Sequence, residues 1–344
     1  LIFVRLLLFP FSLLYAFITA VRNWMFNSGI LKSIEFDIPV ISIGNLRVGG
    51  TGKTPHVEYL INLLSNKYNI ATISRGYGRE TRGFIIADDA KTARDIGDEP
   101  LQIYNKLKNK ALVTVCEERA LAIPRLLSEK NDVNLVILDD AFQHRFVKPK
   151  VNILLTTFKQ PFYKDFLLPT GMLREPHYGA RRADIVVITK CPDDLPEEIQ
   201  ESIKRKVLNF AKNNTPIFFT KLNYGRPHSF SGSDKECPKQ VILVSGLADS
   251  NPFVEHVKQN FEILFEKKYA DHYDYFSDDI EDMEAWLKKY PEAAILCTEK
   301  DYVKLNDVRF KDFFQKHKAY YLPVEVAFLN NEDEFLQTIQ KSIK

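Results

Sequence analysis

From Ile38 onward, short apolar runs alternate with longer stretches of helical periodicity, the pattern of a parallel sheet covered by helices on both faces. The runs Val40–Ile43, Ile70–Ser74, Leu112–Val115, Leu135–Leu138, Asn152–Thr156 and Ile185–Thr189 predict buried strands. After Pro192 the pattern shifts. A charged helical stretch from Leu195 to Lys212 leads to Pro216–Lys221 and a Tyr224-Gly225-Arg226-Pro227 turn, where a domain boundary is expected. A second βα series starts at Gln240–Ser245 and continues through Ala294–Thr298 to Ala319–Leu322. The expected division is therefore residues 1–28, 29–220 and 221–344.

The first of these segments follows a different pattern. Leu6 to Val21 carry no charge, but the run is slightly short of a bilayer span, and Pro10 within it predicts a kink. On a helix, Arg5, Ser12 and Thr19 recur every seven residues and Arg22 lies three further on, a narrow polar stripe against a broad apolar arc. That geometry predicts a helix lying in or dipping into a membrane face, with Arg5 and Arg22 reaching anionic head groups. A single-pass anchor and a helix packed on the protein itself are the alternatives. Ile18 and Ala20 make a poor signal-peptidase site, which disfavours a cleaved leader.

Composition narrows the chemistry. With 344 residues, 45% of them hydrophobic and 27% charged, the chain can bury a full core. A net charge of +2 argues against wrapping a nucleic-acid backbone, so no nucleic-acid partner is expected and an anionic ligand must be met locally. Cys116, Cys191, Cys237 and Cys297 show no paired spacing and read as small hydrophobes rather than as a disulfide framework or a zinc site.

Between the first predicted strand and a helix starting near Thr54 lies Gly44-Asn45-Leu46-Arg47-Val48-Gly49-Gly50-Thr51-Gly52-Lys53-Thr54, a strand, glycine loop, Gly-Lys-Thr, helix order. Such a loop turns backbone amides onto phosphate oxygens; Gly49, Gly50, Thr51 and Gly52 form the cradle, Lys53 reaches the β/γ phosphates, and Thr54 can hold Mg²⁺. Arg47 occupies the place of the usual first glycine, so the motif is a variant. A triphosphate site also needs a carboxylate for the metal, and Leu135–Leu138 runs into Asp139 and Asp140, a Walker B pattern. In the pleat these carboxylates point to opposite sides, one to the metal and the other to the substrate side or a second ion. The fold class expected is α/β: a P-loop NTPase-like parallel sheet with helices on both faces, a second smaller α/β domain and an N-terminal apolar helix.

Several loops supply groups for a phosphate acceptor. Ser74-Arg75-Gly76-Tyr77-Gly78-Arg79 places two arginines after the second strand, Gly97-Asp98-Glu99-Pro100 a carboxylate before a helix, and Gln143, His144 and Arg145 follow the metal strand. Leu168 to Pro176 pairs Arg174 with Glu175. Thr189-Lys190 is placed for a nucleotide contact, and Asp271-His272 could help deprotonate a hydroxyl.

Taken in order, these motifs closely resemble the tetraacyldisaccharide 4'-kinases, the lipid A 4'-kinases of Gram-negative bacteria. The resemblance spans nearly the whole chain: the apolar N-terminal helix, Gly44-Asn45, Gly49 to Pro55, Ser74 to Arg79, Gly97 to Pro100, Asp139-Asp140, Arg174-Glu175-Pro176, Ser245-Gly246-Leu247-Ala248, Asp271-His272 and Thr298-Glu299-Lys300-Asp301. It implies transfer of the γ-phosphate of ATP, with Mg²⁺, to the 4'-hydroxyl of a tetraacylated glucosamine disaccharide 1-phosphate, the lipid A disaccharide precursor, at the cytoplasmic face of the inner membrane. It further implies Asp98 as base assisted by His272, Lys53 and Thr54 on phosphate and Mg²⁺, and Asp139, Asp140 and Glu175 around metal and acceptor. Arg75, Arg79, Gln143, His144 and Arg174 remain as substrate candidates. Ala141 stands where the family commonly has glycine, and Tyr273 where a second histidine is frequent. Two other functions fit a P-loop: a kinase of a soluble sugar or cofactor, which leaves the apolar helix without a use, and a nucleotide-switch assembly factor. Pro192 stands where a guanine-reading Asp belongs, which disfavours a GTPase.

Overall fold

A computed structural model of the chain describes residues 2–232 and 236–343, the side chains of residues 2–6 excepted. The six apolar runs form strands whose ends lie within two residues of those expected. The larger sheet takes β1 (Val40–Asn45), β2 (Ile70–Ser74), β3 (Ile85–Ile86), β4 (Ala111–Val115), β5 (Leu135–Leu138), β6 (Val151–Thr157), β7 (Ile185–Thr189) and β8 (Ile217–Tyr224). The chain then builds a second sheet from β9 (His228–Ser229), β10 (Gln240–Ser245), β11 (Glu262–Lys268), β12 (Ala294–Thr298) and β13 (Ala319–Leu322), and returns to the first as β14 (Val324–Phe328).

In the larger sheet the order is β14-β8-β7-β6-β1-β5-β2-β4-β3, parallel except for β3 and β14. Strand β1 is buried along its whole length between β5 and β6. The loops after β1 and β5 therefore open side by side at the carboxyl end of the sheet, where open α/β sheets bind ligands. The smaller sheet runs β11-β10-β12-β13-β9, with only β9 antiparallel.

The last twenty residues differ from the expected division. Strand β14 pairs antiparallel with β8, and the helix Glu332–Ile343 buries Phe335, Ile339 and Ile343 in the same core as Phe218. The smaller unit is thus inserted between two adjacent crossings, at Gly225 and Pro323, joined by a 2.9 Å bond from Gly225 N to Pro323 O. The physical reason is the edge of β8, whose unpaired backbone β14 covers.

The N-terminal helix runs from Ile2 to Asn27 through Pro10 without a break. Its polar stripe turns toward the protein, contrary to the expectation that it meets head groups. The Ser12 hydroxyl donates to Thr170 Oγ1 (2.6 Å), the Tyr15 hydroxyl to Arg174 O (2.7 Å), and Asn23 Nδ2 to Glu175 Oε2 (3.1 Å). Arg22 donates to Gln143 O and lies over the Phe26 ring; the side chain of Arg5 lies outside the described residues. The apolar arc, with Leu7, Phe11, Leu14, Phe17 and Trp24, is exposed.

Candidate active site

The loop after β1 is held open by its own backbone and by two neighbours. Gly52, at φ +83°, caps the helix Lys53–Leu64, and the left-handed turn there favours glycine. Gly44 is required for a second reason, since a Cβ at that position would lie 2.8 Å from Phe142 Cβ in the loop after β5. Asn45 Nδ2 donates to Thr51 Oγ1 (2.8 Å), and the Thr189 hydroxyl donates to Thr51 O (2.8 Å). Thr189, expected at the nucleotide, is fully buried and braces the cradle from behind. Lys190 lies closer to the glycine loop, its Nζ 3.9 Å from where a Cβ on Gly50 would sit. Arg47 pairs with Asp165 at 2.7 Å at the edge of the cradle, so its charge is already met within the protein. Beside Gly49, Gly50 and Thr51, a cavity of about 670 Å³ continues past Lys190 to Tyr224 and His256, deep enough for the nucleoside end of a nucleotide.

The two aspartates do not follow the pleat argument. Strand β5 ends at Leu138, and Asp140 takes a left-handed turn at φ +46°. Asp140 accepts from Arg174 NH1 (2.8 Å) and faces Lys53 Nζ at 3.7 Å. Burial alone would raise its pKa, but Lys53 and Arg174 hold it below the ordinary value. Asp139 is 2% exposed and its Oδ1 has no hydrogen-bond partner. Burial, then the charges of Glu99 and Asp140, push its pKa up to about 7. An orphaned, buried carboxylate oxygen held among other acids is the environment a divalent cation relieves. Among the described residues no group of three or more His, Cys, Asp or Glu side chains is assembled to hold a metal alone. That suits Mg²⁺, which is typically shared between one or two protein ligands and substrate phosphates. Asp139 and Thr54, in the first turn of the P-loop helix, fit that role.

Beside the cradle, the two units contribute one side chain each to a close pair. Asp98 opens the helix Asp98–Leu107 in the larger unit, and His272 comes from a loop of the smaller one at φ +59°. His272 Nδ1 donates to Asp98 Oδ2 at 2.8 Å, while Nε2 lies 3.3 Å from Lys300 Nζ. Lys300 also pairs with Asp271 at 2.9 Å and reaches Asp98 at 3.6 Å. Burial opposes ionisation of Asp98, but His272 and Lys300 outweigh it and bring the pKa down to about 2, so Asp98 is a carboxylate at neutral pH. The pKa of His272 is lowered by burial and raised more by Asp98, for a net rise. The Tyr77 ring sits 5.0 Å from the His272 ring.

The residues expected to meet the acceptor divide. Arg75 is exposed at the end of β2, and its charge is felt by both Arg119 and His144. Burial, then Arg119, Arg22 and Arg75, lower the His144 pKa to about 4, so the ring is neutral there. Gln143 bridges Asn45 O (2.8 Å) and Glu175 Oε1 (2.9 Å). Arg79 donates through NH2 to Glu117 and Gly83 O and so stabilises its own loop. Glu175, assigned to the metal from the sequence, instead accepts from Asn23, Gln143 and Arg182 and ties the N-terminal helix to the sheet. The sequence reading left Glu99, Lys300 and Arg119 without site roles. Glu99 and Lys300 lie inside motifs it quoted, next to residues it chose, whereas Arg119 at the start of a helix carries no local signal.

One further support links the cradle to the crossing between the units. His56, 3% exposed, donates from Nδ1 to Gly52 O (2.7 Å), and its Nε2 accepts from the Thr220 hydroxyl on β8 (3.0 Å). Burial lowers its pKa from 6.5 to about 4. Between those pH values the unfolded chain binds a proton that the folded ring refuses, so His56 makes stability fall as pH drops through this window. His56→Gln is expected to flatten that slope in urea unfolding across pH 7 to 4. His56→Ala is expected to cost about 1–3 kcal/mol by leaving buried polar groups unpaired.

A family model described as tetraacyldisaccharide-1-P 4'-kinase, LpxK, matches residues 4–344. A tetraacyldisaccharide 4'-kinase of Flavobacterium psychrophilum is 44% identical over 339 residues, 97% of this chain and 95% of its own. One from Porphyromonas gingivalis is 39% identical over 336 residues, covering 94% of this chain and 93% of its own. The crystal structure of LpxK from Aquifex aeolicus in complex with ATP superposes with a TM-score of 0.77 at 29% identity, covering 99% of this chain and all of that one.

Proposed function

Because this chain belongs to the tetraacyldisaccharide-1-P 4'-kinase family, we propose a division of labour among its own residues for the family's reaction. The chain is an ATP-dependent kinase that phosphorylates the 4'-hydroxyl of the lipid A disaccharide precursor. The observation that carries the assignment of roles is the Asp98–His272 pair, joined at 2.8 Å from two units beside the phosphate cradle.

Asp98, ionised, accepts the proton of the acceptor hydroxyl as the hydroxyl oxygen bonds to the γ-phosphorus and the bond from that phosphorus to the β,γ-bridging oxygen breaks, its electron pair leaving with ADP. His272 donates Nδ1–H to Asp98 Oδ2 and keeps that carboxylate in one orientation, and Lys300 holds both its charge and the ring. The amides of Gly49 to Lys53 and the Lys53 ammonium bind the donor phosphates, with Lys190 beside Gly50. Thr54 and Asp139 would hold Mg²⁺, which would supply charge neutralisation for the donor phosphates. Asp140 orients Lys53 and Arg174 toward the same space. Arg75, Arg119 and the neutral His144 supply a basic, polar wall for an anionic acceptor. Purified protein incubated with labelled ATP and a panel of tetraacylated disaccharide 1-phosphate, deacylated disaccharide, soluble sugars and no acceptor tests this reading. Labelling of the acylated disaccharide alone is expected; preferential labelling of a soluble sugar would overturn it.

The N-terminal helix supports a membrane-facing site. From Leu7 to Asn27 it is long and apolar enough to enter a bilayer, with a mean hydropathy of 1.3, yet only 11% of the window is buried in the protein. With its polar side already bonded to the body, the exposed arc is left to dock on the cytoplasmic face of the inner membrane, where an acylated substrate is presented. Each leucine or phenylalanine fully buried there contributes about 1.5–3 kcal/mol. Leu7→Asp with Leu14→Asp, both on the exposed arc, is expected to abolish vesicle co-sedimentation and weaken use of the lipid acceptor while nucleotide binding persists. Undiminished sedimentation would rule out this docking role.

A further inference from the structure

We propose that Lys106 is a positioning residue that brings the smaller unit into register, so that His272 meets Asp98; the catalytic consequence rests on the reading of that pair given above. Lys106 lies two turns beyond Asp98 on the same helix. Its ammonium has three protons and three acceptors, one from each of three other elements. These are Glu58 Oε2 on the P-loop helix (2.8 Å), Glu299 Oε2 at the start of the helix Glu299–Leu305 (3.1 Å), and Val324 O where the chain recrosses between the units (3.1 Å).

The acceptors are themselves fixed. Glu58 Oε1 accepts from Gln102 Nε2 at 2.8 Å, and Glu299 Oε2 accepts from Val324 N at 3.2 Å. Side-chain exposure is 4% at Glu58 and 9% at Glu299, so neither carboxylate is left in water to find another partner. The residue after Glu299 is Lys300, which contacts Asp98, Asp271 and His272. The helices beginning at Asp98 and Glu299 are therefore clamped at two points. One is the Lys106–Glu299 pair; the other is the Asp98–Lys300 contact that faces His272. Because Lys106 also holds Val324 O, a rotation of the smaller unit about its two crossings must first break this cluster.

A buried charge cluster is a costly way to gain stability, and apolar side chains of similar size can do as well. What the cluster supplies is direction: three elements meet at one ammonium in a single geometry. Displacement of a reacting group by about 1 Å can cost on the order of a hundredfold in rate. Lys106 touches neither cradle nor acceptor wall, so its loss should act on the pair and not on nucleotide binding.

The test removes the charges together, since Lys106→Met alone leaves two buried carboxylates unpaired. Lys106→Met with Glu58→Gln and Glu299→Gln, folded by its thermal unfolding, is expected to lower kcat by roughly tenfold to a hundredfold with KM for ATP within twofold or so. The hydrogen-bonded His272 Nδ1–H resonance in ¹⁵N-histidine spectra should weaken or vanish, as it should in Asp98→Ala, which removes the acceptor. Lys106→Arg, which keeps charge and donors, should restore both readouts in large part. If the triple variant fails to fold, Glu299→Gln alone must show the same loss of resonance. A folded variant with the Nδ1–H resonance and kcat intact would refute the positioning role. Loss of the resonance with kcat intact would leave Lys106 positioning His272 and reject the pair as the seat of proton transfer.

Discussion

Asp98→Asn is expected to lower turnover by about 10²–10⁴-fold, the usual contribution of a positioned general base, with ATP affinity little changed. The substitution keeps shape and a hydrogen-bonding oxygen but removes the charge that His272 and Lys300 stabilise. With a pKa near 2, the wild-type carboxylate is fully ionised under assay conditions and always ready to accept a proton. The same low value makes it a weak base in water. Its usefulness must come from placement beside the hydroxyl and from the Nδ1–H bond that fixes it. That predicts strong coupling: His272→Ala should do little further harm once Asp98 is Asn, because residues acting as a unit are not additive. Steady-state kinetics on both single variants and the double variant measure this. Multiplicative losses would show that the two side chains serve separate steps.

Lys53→Ala is expected to lose on the order of a hundredfold to a thousandfold in turnover, matching about 2.7–4 kcal/mol for the removal of one preorganised donor from a developing anion. Lys53 faces Asp140 at 3.7 Å, too long for a tight pair, so the ammonium is held in place without being neutralised. Its side chain is 10% exposed, and water cannot readily replace it. Asp139→Ala should be severely impaired as well, and raising ATP should not rescue it, since what is lost is the seat of the cation. Near-normal turnover in folded Lys53→Ala would remove the cradle from the mechanism. Restoration of Asp139→Ala by ATP alone would mean that Asp139 serves binding only.

The apolar runs determined the sheet by themselves. Val40–Asn45, Ile70–Ser74 and Ile185–Thr189 are buried along their whole length, and a continuous apolar run flanked by helical periodicity leaves few other structures open to it. The glycine loop and Lys53-Thr54 were equally legible, because phosphate binding depends on local backbone shape carried by neighbours in the chain. Pairing across long separations was not. Nothing local to Val324–Phe328 says that it will leave the second sheet and cover the edge of β8. Arg79 and Glu175 look like site residues in the chain, and only folding shows that Glu117 and Arg182 claim them. The stripe of Ser12, Thr19 and Arg22 was visible as a stripe, but periodicity states that a helix has two faces without stating what each one meets. The Asp98–His272 contact spans 174 residues and two units. Motif resemblance named both residues in advance, and the 2.8 Å bond between them exists because the inserted unit is held against the P-loop unit by buried contacts such as those of Lys106, which no sequence pattern announces.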